Sequence, residues 1–284
     1  MSKVILGFAL AAAAVSFAAS AEEPSRTTLI CHCGAPEEAP ENTLPGYRIA
    51  VERGFGFECD IYLSADKRLF TFHDVDMRRT TGGVHTQKCV EASWADTVSK
   101  ANVGGHGRWK GSKYDPIRPA LLEEVLELAR DGRYIYVEVK NDDPSWVPYI
   151  RDVFARQTNA TPKNVLFITF GPRLCAELKR QMPEYKAYWL TPARRGWSVG
   201  TEPVSAEYII ESLRKTGADG VDCQYDPEIV TADLVRSVRN AGYEFHVWTI
   251  DDYGSMTEAF ARGAQTVTTN RAKVLLERYE MRHE

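Results

Sequence analysis

Hydrophobic and polar positions along the chain follow two periods. Short runs rich in β-branched and aromatic residues, at 28–32, 56–62, 134–140, 164–169, 185–190, 219–223, 244–249 and 264–268, predict eight strands. Between them, helical patterns cover 43–53, 120–130, 145–156, 172–181, 204–216, 231–241 and 253–262, several of them stopping at Gly or Pro. Strand–helix alternation of this kind in 284 residues predicts an α/β fold, a (β/α)8 TIM barrel.

One interval breaks the rhythm. A second β-like run, ending at His73, follows the 56–62 strand within a few residues, too soon for a parallel return, which needs a crossover of about a dozen residues. The return must be antiparallel. With Asp66-Lys67 as a two-residue loop, Ala65 faces Arg68, and counting outward sets Asp60 opposite His73. Residues 61–118 then form a small cap inserted after the second strand, rich in glycine at 81–83 and 104–107.

The first 21 residues differ from the rest. Lys3, an apolar run over 4–17 and Ala19-Ser20-Ala21 predict a cleaved secretory signal, hence a periplasmic or secreted barrel domain over 22–284. The apolar run is short of the ~20 residues a membrane span needs, and no later stretch predicts one. A formal charge of −4 without a basic cluster sets nucleic acid aside as a partner. Six cysteines in an oxidising compartment allow many pairings, among which the sequence does not choose. None forms a C-x-x-C pair, and Cys31-His32-Cys33 is too cramped for zinc without distant ligands.

Glu58 and Asp60, two apart on a strand, project to the same face while Cys59 points away. Inside a barrel their repulsion calls for a cation, and an all-oxygen site suits Mg2+ or Ca2+. Glu138 is a third candidate ligand, with Lys140 on the same face. Solvated carboxylates at a strand end are the plainer alternative. His32 closes the first strand, and with His73 it could flank a substrate as base and acid; satisfied core histidines are the alternative. His85, His106, His246 and His283 are expected as surface, loop or packing residues.

These residues resemble a family. His32-Cys33-Gly34, Glu41-Asn42-Thr43, Glu58-Cys59-Asp60, His73-Asp74, Arg79-Thr80-Thr81, Glu138-Val139-Lys140 and Val247-Trp248-Thr249 follow, in order, the HRG, ENT, ExD, HD, RTT, ExK and WT landmarks of the glycerophosphodiester phosphodiesterases. The resemblance implies a barrel with an insertion after its second strand and a divalent cation, Mg2+ or Ca2+, on Glu58, Asp60 and Glu138. It makes His32 and His73 the acid/base pair, Lys140 a phosphate contact and Trp248 a pocket wall. Glu41 and Asn42 would brace the rim, Asn42 also capping helix 43–53. The substrate implied is a small glycerophosphodiester, hydrolysed to glycerol 3-phosphate and an alcohol. The chief departure is Cys33, where the family carries an arginine, whose bidentate clamp a sulfur cannot replace. Arg79, Arg118 and Lys140 are the candidate substitutes. A smaller departure is Asn270 in place of aspartate. A non-catalytic exported binding protein and a phospholipid lyase ending at a cyclic phosphate are the competing readings.

Overall fold

The computed structural model describes residues 22–195 and 201–284, so the expected signal segment lies outside it. The elements in chain order are β1 (Leu29–Cys31), α1 (Leu44–Glu52), β2 (Gly56–Leu63), β3 (Leu69–Thr71), α2 (Leu122–Leu126), β4 (Ile135–Val139), α3 (Val147–Phe154), β5 (Val165–Thr169) and α4 (Pro172–Gln181). They continue with β6 (Ala187–Thr191), α5 (Ala206–Thr216), β7 (Gly220–Gln224), α6 (Ala232–Asn240), β8 (Glu244–Trp248), α7 (Tyr253–Ala261), β9 (Val267–Thr269) and α8 (Ala272–His283). Eight strands are parallel to their neighbours, and β1 pairs with both β2 and β9, which closes the barrel. The predicted TIM barrel is the observed fold.

Strand positions alternate between two cores, as the pleat requires. Leu29, Cys59, Ile61, Val137, Phe167, Val221 and Phe245 join the core that includes the buried faces of the helices, while Ile30, Tyr136, Leu166, Ile168, Tyr188 and Leu190 form a separate cluster on the alternate positions, inside the barrel. Caps start several helices: Ser205, Thr231 and Asp252 accept from backbone N–H groups in the first turns of α5, α6 and α7. Helix α8 shows little periodicity in sequence because only Ala272, Leu275 and Leu276 of it are buried. Among the described residues, no helix is long and apolar enough to cross a membrane.

The return strand β3 is antiparallel as expected, but its register differs by one residue. Ile61 pairs with Thr71, Tyr62 with Phe70 and Leu63 with Leu69. The loop therefore has three residues, with Lys67 at φ 63° in the left-handed conformation that such loops use. Asp66 selects it: its carboxylate accepts from the backbone N–H of Trp94 at 2.6 Å and of Ala95 at 3.0 Å, tying the turn to the insertion. Asp60 consequently stands opposite Phe72, whose N–H donates to the Asp60 carbonyl at 3.0 Å. The expected Asp60–His73 pairing is corrected, and His73 lies beyond the end of β3.

Between β3 and α2 the chain makes single helical turns at Cys89–Glu91, Val98–Lys100 and Gly107–Trp109. Met77, Cys89, Trp94 and Val98 of this segment are buried in the main core. All six cysteines are free and buried.

Candidate active site

The C-terminal ends of β1, β2 and β4 bring the acidic residues together. Asp60 lies beside Glu138 in the β2–β4 register, and ligand oxygens of Glu58, Asp60 and Glu138 all fall within 4.8 Å of one another. The three are 2%, 0% and 8% exposed, so the plainer alternative of solvated strand-end carboxylates does not hold. Lys140 answers the charge: its Nζ sits 2.8 Å from both Asp60 Oδ1 and Glu138 Oε1.

Burial, reinforced by Asp60 and Glu138, pushes the Glu58 carboxyl well up. Burial likewise raises Glu138, to about 7, against the pull of Lys140. Burial opposes ionisation of Asp60 too, but the Lys140 ammonium and the two histidines outweigh it and hold that carboxyl below the usual range. Lys140 itself resists burial through Asp60 and Glu138, which keep it charged far above the normal lysine range.

Asn42 fixes Asp60 from behind. At φ 54°, it donates from Nδ2 to Asp60 Oδ2 at 2.6 Å while its Oδ1 accepts from the Asp60 N–H and the Tyr47 hydroxyl. The expected capping role is corrected: Thr43 occupies the N-cap of α1, and the Asn42 amide is spent on Asp60 and Tyr47. Tyr47 is a supporting residue the sequence analysis did not find, and no local signal marks it.

The two imidazoles lie edge to face with ring centroids 6.2 Å apart. His32 Nδ1 meets Asn270 Oδ1 at 2.9 Å, and Asn270 donates its amide to Asp251 Oδ2 at 2.7 Å, which orients the amide. Nδ1 therefore carries the proton and Nε2 the lone pair. Burial lowers the His32 pKa, so the ring favours its neutral form. His73 Nδ1 contacts Asp74 Oδ1 at 2.9 Å, and Arg79 joins Asp74 to Glu41. Glu41 thus braces His73 through two intermediates.

Of the three candidate substitutes for the missing arginine, Arg79 is engaged by Asp74 and Glu41, and Arg118 by Glu124. Lys140 is the one that lines the central cavity, a space of about 380 Å³ shared with His32, Glu58, His73, Glu138 and Trp248. Trp248 and Phe170 wall it with rings 5.7 Å apart at 89°. A neighbouring hollow of about 250 Å³ under the insertion also has His73 in its wall. Cys33 is buried at φ 50°, its N–H donating to Glu58 Oε2 at 2.8 Å and its Sγ to Asp60 Oδ2 at 3.3 Å. His246 is a packing residue as expected, stacked on Tyr188 with centroids 4.3 Å apart.

Asp222 was missed. It occupies an inward position of β7, lines the cavity, is 1% exposed, and neither carboxylate oxygen has a hydrogen-bond partner. Burial pushes its carboxyl well up. The signal was available: an acidic residue between Val221 and Cys223 in a strand buried on both faces.

A match to the glycerophosphoryl diester phosphodiesterase family covers residues 32–274. A glycerophosphodiester phosphodiesterase of Caldanaerobacter subterraneus is 31% identical over 256 residues, 88% of this chain and 97% of that protein. Glycerophosphodiester phosphodiesterase domain-containing protein 4 of Macaca fascicularis is 26% identical over 88% of this chain, which spans only 41% of that relative. The fold is similar to a phosphodiesterase of Oleispira antarctica, solved with the product sn-glycerol-3-phosphate, with a TM-score of 0.76 at 21% identity, covering 89% of this chain and 96% of that one.

Proposed function

The chain belongs to the glycerophosphoryl diester phosphodiesterase family and is a hydrolase; from that premise we propose that it cleaves glycerophosphodiesters to glycerol 3-phosphate and an alcohol by divalent-cation and paired-histidine chemistry. One observation carries the reading: three buried carboxylates converge, and two of them, Glu58 and Glu138, line one cavity together with both imidazoles. Their donor set fits a hard cation. All three ligands are oxygen, and buried Glu58 Oε1 has no hydrogen-bond partner. Glu58, Asp60 and Glu138 would hold Mg2+ or Ca2+, which when bound neutralises phosphoryl oxygens and acidifies a nearby hydroxyl.

The chain's own residues supply the rest. Lys140 offers its ammonium to a phosphoryl oxygen, the role left open by Cys33. His32, kept neutral by burial and fixed with Nε2 toward the site, takes the proton of the attacking hydroxyl, either water or the substrate's own glycerol hydroxyl. His73, in the wall of both hollows, donates to the departing alcohol. Trp248 and Phe170 exclude water from the apolar side. The leader pattern in residues 1–21 supports export, tested by whether mature protein from the periplasm or medium begins at Glu22.

The test is formation of glycerol 3-phosphate from glycerophosphocholine, glycerophosphoethanolamine and glycerophosphoglycerol in Mg2+ and in Ca2+. EDTA and Asp60→Ala are expected to abolish it, and full turnover by chelated protein overturns the reading. Binding without product release would favour an exported binding protein. A cyclic phosphate as the final product in phosphorus NMR would favour a lyase.

A further inference from the structure

We propose that His32 Nε2, Cys33 Sγ and a Glu58 carboxylate oxygen form a site for a soft divalent cation of the Zn2+ class, sharing Glu58 with the hard-cation site. A ring nitrogen of His32, Cys33 Sγ and a carboxylate oxygen of Glu58 lie within 4.8 Å of one another. Zinc bonds of about 2.3 Å to sulfur and about 2.0 Å to nitrogen, at a tetrahedral angle, set those two atoms roughly 3.5 Å apart. The observed Sγ–Nε2 separation is 3.6 Å. A hydrogen bond can span the same distance, so the third donor matters: Glu58 is 2% exposed and its Oε1 has no partner.

The surroundings favour ligation. The Asn270 contact leaves Nε2 with the lone pair, as a histidine ligand braced by an outer hydrogen bond requires. The turn at Cys33 sets both its N–H and its Sγ against the β2 carboxylates, at 2.8 Å from Glu58 and 3.3 Å from Asp60. Thiolate with imidazole selects Zn2+ or Co2+ over Mg2+. Cys31 takes no part, since it packs in the core outside the barrel. Ligation turns the Sγ–H bond into a sulfur–metal bond and releases the thiol proton to solvent, together with the Glu58 proton wherever that carboxyl is protonated. It also takes up the His32 lone pair, so the soft ion inhibits; this consequence rests on the reaction proposed above, whereas the site does not.

The experiment adds Co2+ to the whole protein in excess Mg2+ and follows thiolate-to-cobalt charge-transfer absorption in the near ultraviolet. The band is expected to saturate at one equivalent and to vanish on adding Zn2+. It is absent in Cys33→Ser and retained in Cys175→Ser, whose thiol is buried on α4. Cobalt uptake by the wild type without that band overturns the proposal whether or not the variants fold, as does a band that survives Cys33→Ser. In parallel, one equivalent of Zn2+ should lower glycerol 3-phosphate formation at least tenfold in the wild type, with recovery on chelation and return of Mg2+. A band with undiminished turnover overturns the inhibition and His32 as the proposed base, while the site itself stands or falls on the band and its loss in Cys33→Ser. A band in a protein that hydrolyses nothing upholds the site and fails the proposed reaction.

Discussion

Replacing Lys140 with Met removes the buried cation while keeping most of the side-chain volume. Its ammonium is 2.8 Å from two carboxylates, and the side chains of the trio are 14%, 0% and 10% exposed in the order Lys140, Asp60, Glu138. Solvent therefore screens the interaction little, and removing one partner leaves uncompensated buried charge. Breaking such a pair costs about 3–5 kcal/mol. At roughly 2–4 °C per kcal/mol for a domain of this size, thermal unfolding in EDTA should fall by roughly 6–20 °C. The measurement belongs above about pH 7, where Glu138 is ionised; in more acidic buffer protons neutralise the cluster and the gap shrinks. Mg2+ supplies positive charge to the same oxygens, and without the competing ammonium the variant binds it more tightly: at 100 times the variant's dissociation constant it gains about 2.7 kcal/mol, more than the wild type gains at the same concentration. The deficit should then narrow substantially. Circular-dichroism melts with EDTA and with Mg2+ give both numbers. A loss under about 1 kcal/mol in EDTA, or an equal loss in both buffers, refutes Lys140 as counter-charge to this cluster.

Asn42→Ala strips partners from Asp60 and from the Tyr47 hydroxyl at once, and should cost about 2–4 kcal/mol in denaturant melts; calorimetry should also show divalent-ion affinity falling roughly 10–100-fold. Because Glu138 holds its proton up to about pH 7, that proton competes with the ion: Mg2+ affinity should decline as pH falls below about 7, and a flat profile across neutrality would remove Glu138 from the ligand set. Cys33→Arg restores a guanidinium beside the phosphate position, and kcat/KM for glycerophosphodiesters should rise about tenfold or more. No change would mean that Lys140 already provides the grip.

The barrel was legible because its signals are local. Each strand shows its period over five or six residues, and the two-residue spacing of Glu58 and Asp60 assigns them one face wherever the strand lies. The hairpin was legible in direction but not in register, because Asp66 is captured by Trp94 and Ala95 nearly thirty positions away. Asn42 looked like a helix cap for the same reason: a local motif was claimed by Asp60 and Tyr47.

By itself, then, the sequence determined the strand count, the faces of the strands and the chemical types gathered at one rim, since these follow from periodicity along a single segment. Tertiary structure alone decided which charges are answered. Three cations looked equivalent in sequence, yet Arg79 and Arg118 are engaged elsewhere and Lys140 reaches the carboxylates. It likewise left Asp222 and Glu58 Oε1 without partners. Whether a polar atom is satisfied depends on every segment folded against it, and no stretch of sequence contains that information.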